Sequence, residues 1–294
     1  MDPLLLITNA EAGTADTENV EKALAVLRGA ADVEVCSTSN QGELDGVLHR
    51  RGSRRVVVAG GDGSLHAVVA ALHRRQELSD TVLGLIPLGT GNDFARGAGI
   101  PLEPEESARL ILKGDVRPVD LLVDCVGDIV VNNVHIGVGA QASRKAHKWK
   151  GRLGRAGYVV GAGLAAVNPP FVRLHVEVDG EVVADLDRPI LMVAVGNGPN
   201  VGGGAEITPE ANPQDGKVDV MVSFAVGPVS RVGYALHFRR GEHHERDDVA
   251  YVRGTTVSVS GQPFYCSADG ELYGPERSRT WHVEAGAFSM SLHG

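Results

Sequence analysis

The run Val56-Val57-Val58-Ala59-Gly60-Gly61-Asp62-Gly63-Ser64-Leu65-His66 constrains this chain more than any other stretch, because an apolar β-branched segment breaks into glycines and one aspartate and a helical pattern follows at once. Gly60, Gly61 and Gly63 permit a tight turn and leave no Cβ between main-chain N–H groups and an anion. Leu65, Val68, Val69 and Leu72 fall at i, i+3, i+4 and i+7, one apolar helical stripe, with Ser64 placed to cap its start. Strand, glycine turn and helix N-terminus in that order suit a phosphate site; the plainer reading is a strand-to-helix turn that needs glycine. No Gly-x-x-x-x-Gly-Lys-Ser/Thr and no complete Gly-x-Gly-x-x-Gly occurs in the chain.

The surroundings extend that grammar. Strand-like runs at residues 4–8, 33–36, 56–59 and 82–86 alternate with helical patterns at about 17–29, around Leu44, Val47 and Leu48, and at 105–113, with one more strand near 119–123. Such alternation predicts a parallel sheet covered by helices, with ligands gathering beyond the carboxyl ends of its strands. The Gly60 turn and Pro87-Leu88-Gly89-Thr90-Gly91-Asn92-Asp93-Phe94-Ala95-Arg96 both lie at such ends. Beyond residue 123 alternation takes over. Residues 172–178, the Asp179-Gly180 dipeptide and residues 181–183 predict a hairpin with a type I′ turn. Further strand-like runs at 190–195, 218–224, 255–259 and 281–284 predict a β-rich second domain, an antiparallel sandwich. The expected domains are 1–120 (nucleotide-binding, α/β) and 121–294 (β-rich), with the C-terminal tail packing back on the first.

A net charge of −9 argues against a general nucleic-acid binder. No apolar run reaches the ~20 residues of a membrane helix, and no basic leader precedes Leu4. Cys36, Cys125 and Cys266 are far apart and odd in number, which fits a reducing cytoplasm. Arg144 to Arg155 is basic, carries Trp149 and contains no acid, so it suits either an anionic bilayer surface or a solvated helix face. Glu242-His243-His244-Glu245 lacks His-Glu-x-x-His spacing and reads as a polar loop.

Residues 58–64 together with 86–96 resemble the catalytic-domain signature of the diacylglycerol kinase and sphingosine kinase superfamily. Gly196-Asn197-Gly198 with Gly202-Gly203-Gly204 and Pro209, then Asp215-Gly216-Lys217-Val218-Asp219, then Asp269-Gly270-Glu271, are similar to that family's second-domain elements in order. The chain departs from the pattern at Thr14, where a basic residue is frequent, and at Ala67, where an acid is usual.

The resemblance implies an ATP- and Mg²⁺-dependent lipid kinase that transfers the γ-phosphate to a hydroxyl of diacylglycerol or a related lipid alcohol, as in phospholipid biosynthesis. Gly60, Gly61, Gly63 and Ser64 would cradle phosphates, with Asn9, Thr38, Gly89, Thr90 and Asn92 joining by family position, although Thr38 equally suits a strand-end cap. Asp62 would link to magnesium through water, or stabilise an Asx-type turn. Asp93 would face the lipid hydroxyl, or cap a helix. Of Asp269 and Glu271 one would take the hydroxyl proton, Asp269 being favoured, and the other would orient the hydroxyl or help hold magnesium, a plain turn being the alternative; Asp179-Gly180-Glu181 lies between two alternating runs and reads as a hairpin tip, a flank that Asp269-Gly270-Glu271 lacks. Asp215 would hold a structural Mg²⁺, or mark a turn. Nucleotide would lie between the domains. Expected partners are the lipid, a membrane surface touched peripherally from the cytoplasm, and a second copy as a homodimer. Alternatives are a kinase of a soluble acceptor, NAD kinase-like, and a non-catalytic lipid- or nucleotide-binding module.

Overall fold

A computed structural model describes residues 2–10, 14–138 and 171–293. The chain divides into two units: residues 1–121 with 213–215 and 284–294, and residues 122–212 with 216–283. The basic segment Arg144 to Arg155 lies outside the described residues.

The first unit is built on parallel strands β1 (Leu4–Asn9), β2 (Val33–Thr38), β3 (Arg55–Gly60) and β4 (Val82–Pro87) in the order β2-β1-β3-β4. The last strand of the chain, β16 (Glu271–Leu292), adds its end to β4 in parallel through Ser289 and Met290. Helices α1 (Thr14–Arg28), α2 (Gln41–His49), α3 (Asp62–Arg74), α4 (Asp93–Gly97) and α5 (Pro104–Lys113) supply the cover. Side chains alternate across a strand, so Leu4, Leu6, Val57 and Ala59 turn to one face and bury Val20, Leu24 and Leu27 of α1 and Ile111 of α5. On β3, Val56 and Val58 are equally buried, so the sheet is covered on both faces there and β1, β3 and β4 read as apolar runs, whereas the edge strand β2 is partly exposed.

The second unit is antiparallel. The end of β5 (Asp115–Asp124) pairs with β6 (Ile129–Val130). The strands β7 (Asn133–Gly137), β10 (Met192–Gly196), β13 (Val218–Ser223), β14 (Val249–Gly254) and β15 (Thr256–Ala268) run in the order β14-β13-β10-β7-β15. β15 also pairs with β16 and with β8 (Leu174–Val178), which forms a hairpin with β9 (Glu181–Ala184). β11 (Asn200–Val201) and β12 (Ala205–Glu206) make a small separate ribbon. Trp281, Phe264, Val176, Val193, Val220 and Val259 fill the sandwich core. The opposite face of β10 and β13 buries Met192, Ala194, Met221 and Tyr234, the last from α6 (Pro228–Phe238).

Three local expectations are corrected. Helix α3 starts at Asp62 and is capped by the Gly61 backbone, so Ser64 stands in the first turn rather than at its cap. The 242–245 segment is not a plain polar loop: His243 is fully buried, donates from Nε2 to the Ile207 carbonyl at 3.0 Å, and packs on Phe238 with ring centres 4.8 Å apart. And Asp269-Gly270 has the same backbone as Asp179-Gly180, with φ of 46° and 88° against 51° and 87°, so each is a hairpin tip.

Candidate active site

In the first unit the two glycine turns close on each other. The N–H of Leu88 donates to the Gly60 carbonyl at 3.0 Å. A Cβ built on Gly61 would stand 2.9 Å from the Gly89 Cα, so neither turn tolerates a side chain there. Asn92, in the left-handed region at φ 53°, binds the Gly89 backbone twice, accepting its N–H at 2.9 Å and donating to its carbonyl at 2.8 Å. Helix α4 has no side-chain cap from its own N-terminus; Asp62 caps it from the other turn, accepting the N–H of Asp93 and of Phe94 at 3.0 Å each.

Gly63 differs from its neighbours. A Cβ there meets nothing within 4 Å, and its backbone is ordinary helix. No contact among the described residues requires glycine at that position, whereas an approaching phosphate would. A Cβ on Gly91 would lie 3.1 Å from Asp62 Oδ2 and 3.2 Å from Asp93 Oδ2, so two carboxylates border one point on the turn. That donor set fits Mg²⁺, which takes one or two carboxylates and keeps its waters. Among the described residues no group of three or more His, Cys, Asp or Glu could hold a metal unaided.

The other expected residues fall as follows. Asn9 and Thr38 are register partners at the ends of β1 and β2, at the same carboxyl edge as Gly60. Thr90 is exposed and Asp93 is buried. Asp215 is exposed, on the short 213–215 segment that joins this unit, where the N–H of Asp120 donates to the Pro213 carbonyl.

In the second unit Asp269 is held firmly. Its carboxylate accepts the N–H groups of Val131 at 2.7 Å, Asn132 at 2.9 Å and Asn133 at 3.2 Å. Glu271, next but one, is exposed and accepts from the Tyr273 hydroxyl at 3.1 Å. Sequence reasoning missed Asn132, Asn133 and Asn200. Asn132 and Asn133 both donate to the Asn200 carbonyl, at 2.8 and 2.7 Å, and Asn197 donates to the Val131 carbonyl at 2.8 Å. The signal was present as two asparagines interrupting the apolar run from Ile129 to Ile136. Asp219, also in this unit, is fully buried in an ion pair with Arg253 at 3.3 Å. His135 lies on the same strand as Asn133; burial pushes its imidazole down to about 4, with the Asp269 charge pulling the other way.

Comparison with known proteins matches two domain families to the chain. The diacylglycerol kinase catalytic domain matches residues 3–123, and the YegS C-terminal NAD kinase beta sandwich-like domain matches residues 132–290. A protein of Xanthomonas campestris named "Probable lipid kinase YegS-like" is 32% identical over 98% of this chain and 94% of its own length. The chain belongs to the YegS-like lipid kinase family. A YegS-like relative from Pseudomonas aeruginosa is 32% identical over 75% of this chain and 72% of its own length. A crystal structure of a diacylglycerol kinase from Bacillus anthracis strain Sterne superposes with a TM-score of 0.79 at 25% identity, covering 99% of this chain and 97% of that one. In these YegS-like terms the first unit is the kinase catalytic α/β domain and the second the β-sandwich.

Proposed function

We propose that this chain phosphorylates a hydroxyl of diacylglycerol or a related lipid alcohol, using ATP with Mg²⁺, at a membrane surface that it touches peripherally. The observation that carries the nucleotide part is Gly63, a glycine that no contact among the described residues requires, at the start of a helix whose first N–H groups lie at the carboxyl edge of a parallel sheet. When bound, ATP supplies the phosphoryl group and Mg²⁺ neutralises its charge. Gly61 and Gly63 would present backbone N–H groups to phosphate oxygens, Gly60 would leave room at the turn, and Ser64, whose own N–H donates to the Gly61 carbonyl at 3.0 Å, would offer its hydroxyl, while Asp62 with Asp93 would hold the metal through its waters. The joint between Asp62 and α4 fixes both carboxylates before any ligand arrives, so little reorganisation accompanies binding.

Asp269 takes the proton of the attacking hydroxyl, and Glu271 orients that hydroxyl. Three backbone N–H groups bind the Asp269 carboxylate and fix its direction. Asp215 would hold a separate structural Mg²⁺.

The test is acceptor competition. Purified protein with ATP and Mg²⁺ is offered diacylglycerol, other lipid alcohols and NAD in parallel. Labelled phosphate in one lipid class supports the proposal, and label in NAD alone overturns it.

A further inference from the structure

Helix α6 is apolar on its outward face as well as its inward one. Tyr234 turns inward onto Met192 and Met221, and Phe238 packs beside it. The outward face carries Pro228, Val229, Val232, Ala235 and Leu236, all exposed, with Val229 at 85%, Val232 at 62% and Leu236 at 55%. These positions follow i, i+3, i+4 and i+7 spacing, so they form one strip along the helix, and the strip has no polar residue in it. A helix that served only the sandwich core would place charge there.

The strip has a charged end and an aromatic edge. Arg239 and Arg240 continue the same face, both exposed, and neither makes an ion pair among the described residues. No Asp or Glu occurs from residue 227 to 241, in a chain whose net charge is −9. Phe171, 40% exposed, lies under the Arg231 guanidinium at 5.9 Å from its ring centre. The acids that follow the helix lie on its other flank, where Asp248 binds Arg246 and Ser230.

We infer that the outward face of α6 is a membrane-docking surface, with Val229, Val232 and Leu236 entering the acyl boundary of an anionic bilayer while Arg239 and Arg240 meet its headgroups. This rests on the lipid-kinase reading for its biological sense, and it names which surface of the second unit meets the substrate-bearing bilayer. A second copy of the chain fits less well. A stable dimer needs roughly 800 Å² from each partner, and four or five small side chains on an eleven-residue helix supply far less. Shallow insertion of a short apolar strip backed by basic groups is the geometry of interfacial helices, and it needs no such area.

The experiment measures binding to vesicles of phosphatidylcholine with and without phosphatidylglycerol, in the absence of ATP. Four proteins are compared: the parent, Val229→Asp/Leu236→Asp, Arg239→Ser/Arg240→Ser, and Val232→Trp. The expected result is binding that depends on phosphatidylglycerol, weakened at least roughly tenfold by the aspartates and weakened and made less salt-sensitive by the serines. Val232→Trp should bind more tightly, with its indole emission shifted to the blue on vesicles. All changed positions are exposed, and circular dichroism checks that each variant is folded.

Unchanged binding in the folded aspartate variant overturns the inference. So does a parent protein that ignores both kinds of vesicle, or a dimer that the aspartates dissociate without affecting vesicle binding. Failure to phosphorylate any lipid would remove the kinase reading and leave this result standing, because docking is read without turnover.

Discussion

The carboxylate of Asp62 holds the start of a helix 31 residues away, accepting the backbone N–H of Asp93 at 3.0 Å and that of Phe94 at the same distance. One side chain thereby locks the two glycine turns of the first unit in register. Bonds from neutral N–H groups to an ionised acceptor are the stronger kind, and their loss leaves half-buried donors unmet.

Asp62→Ala should therefore cost about 1–3 kcal/mol of stability, and Asp62→Asn less, since the amide oxygen still accepts one bond. Urea denaturation of the two variants checks the order. Both should lose phosphate transfer to a greater extent than they lose stability, because the carboxylate proposed to hold the metal is gone in each.

Gly63→Ala separates packing from ligand binding. Alanine is the better helix former by about 1 kcal/mol, and a Cβ at this position has open space within 4 Å. The variant should melt at the parent's temperature or above it, yet bind ATP with Mg²⁺ at least roughly tenfold more weakly, as titration calorimetry would read. Gly61→Ala should behave in the opposite way, destabilising outright, because its Cβ would stand 2.9 Å from the Gly89 Cα.

How much of this was legible depended on distance along the chain. The parallel strands and α3 followed from local periodicity, since Leu65, Val68, Val69 and Leu72 are all core residues. The Asp62 cap on α4 was not legible, because nothing local links position 62 to 93. Helix α6 escaped notice for a physical reason: Val229, Val232 and Leu236 face outward, so its apolar pattern does not report a core. The symmetry of the Asp269 hairpin was hidden by the irregularity between Ser260 and Phe264, where Gly261-Gln262-Pro263 breaks the alternation of β15. The asparagine network needed the fold, since Asn133 and Asn200 are 67 positions apart.

His135 gives the second unit a pH dependence of known sign. Its folded pKa is pushed down to about 4 from 6.5, so between those values the unfolded chain binds a proton that the native state refuses. Its contribution is fully present above pH ~6.5 and is lost as pH falls toward ~4, at about 1.4 kcal/mol per pH unit and about 3 kcal/mol in all. His135→Gln should flatten that part of the profile. Urea midpoints measured from pH 4 to 7 for the two proteins would show parallel curves if His135 were not the cause.

The most direct measurement is phosphate transfer from ATP to lipid in mixed micelles by the parent, Asp269→Asn and Glu271→Gln, with folding followed by near-ultraviolet circular dichroism. Glu271 is exposed and accepts only from Tyr273 among the described residues, so its amide variant should keep parent stability. The account expects label in one lipid class from the parent, a loss of at least roughly 100-fold in folded Asp269→Asn, and a smaller loss in Glu271→Gln. Label in no lipid from the folded parent with magnesium present, or full transfer by Asp269→Asn, would contradict it.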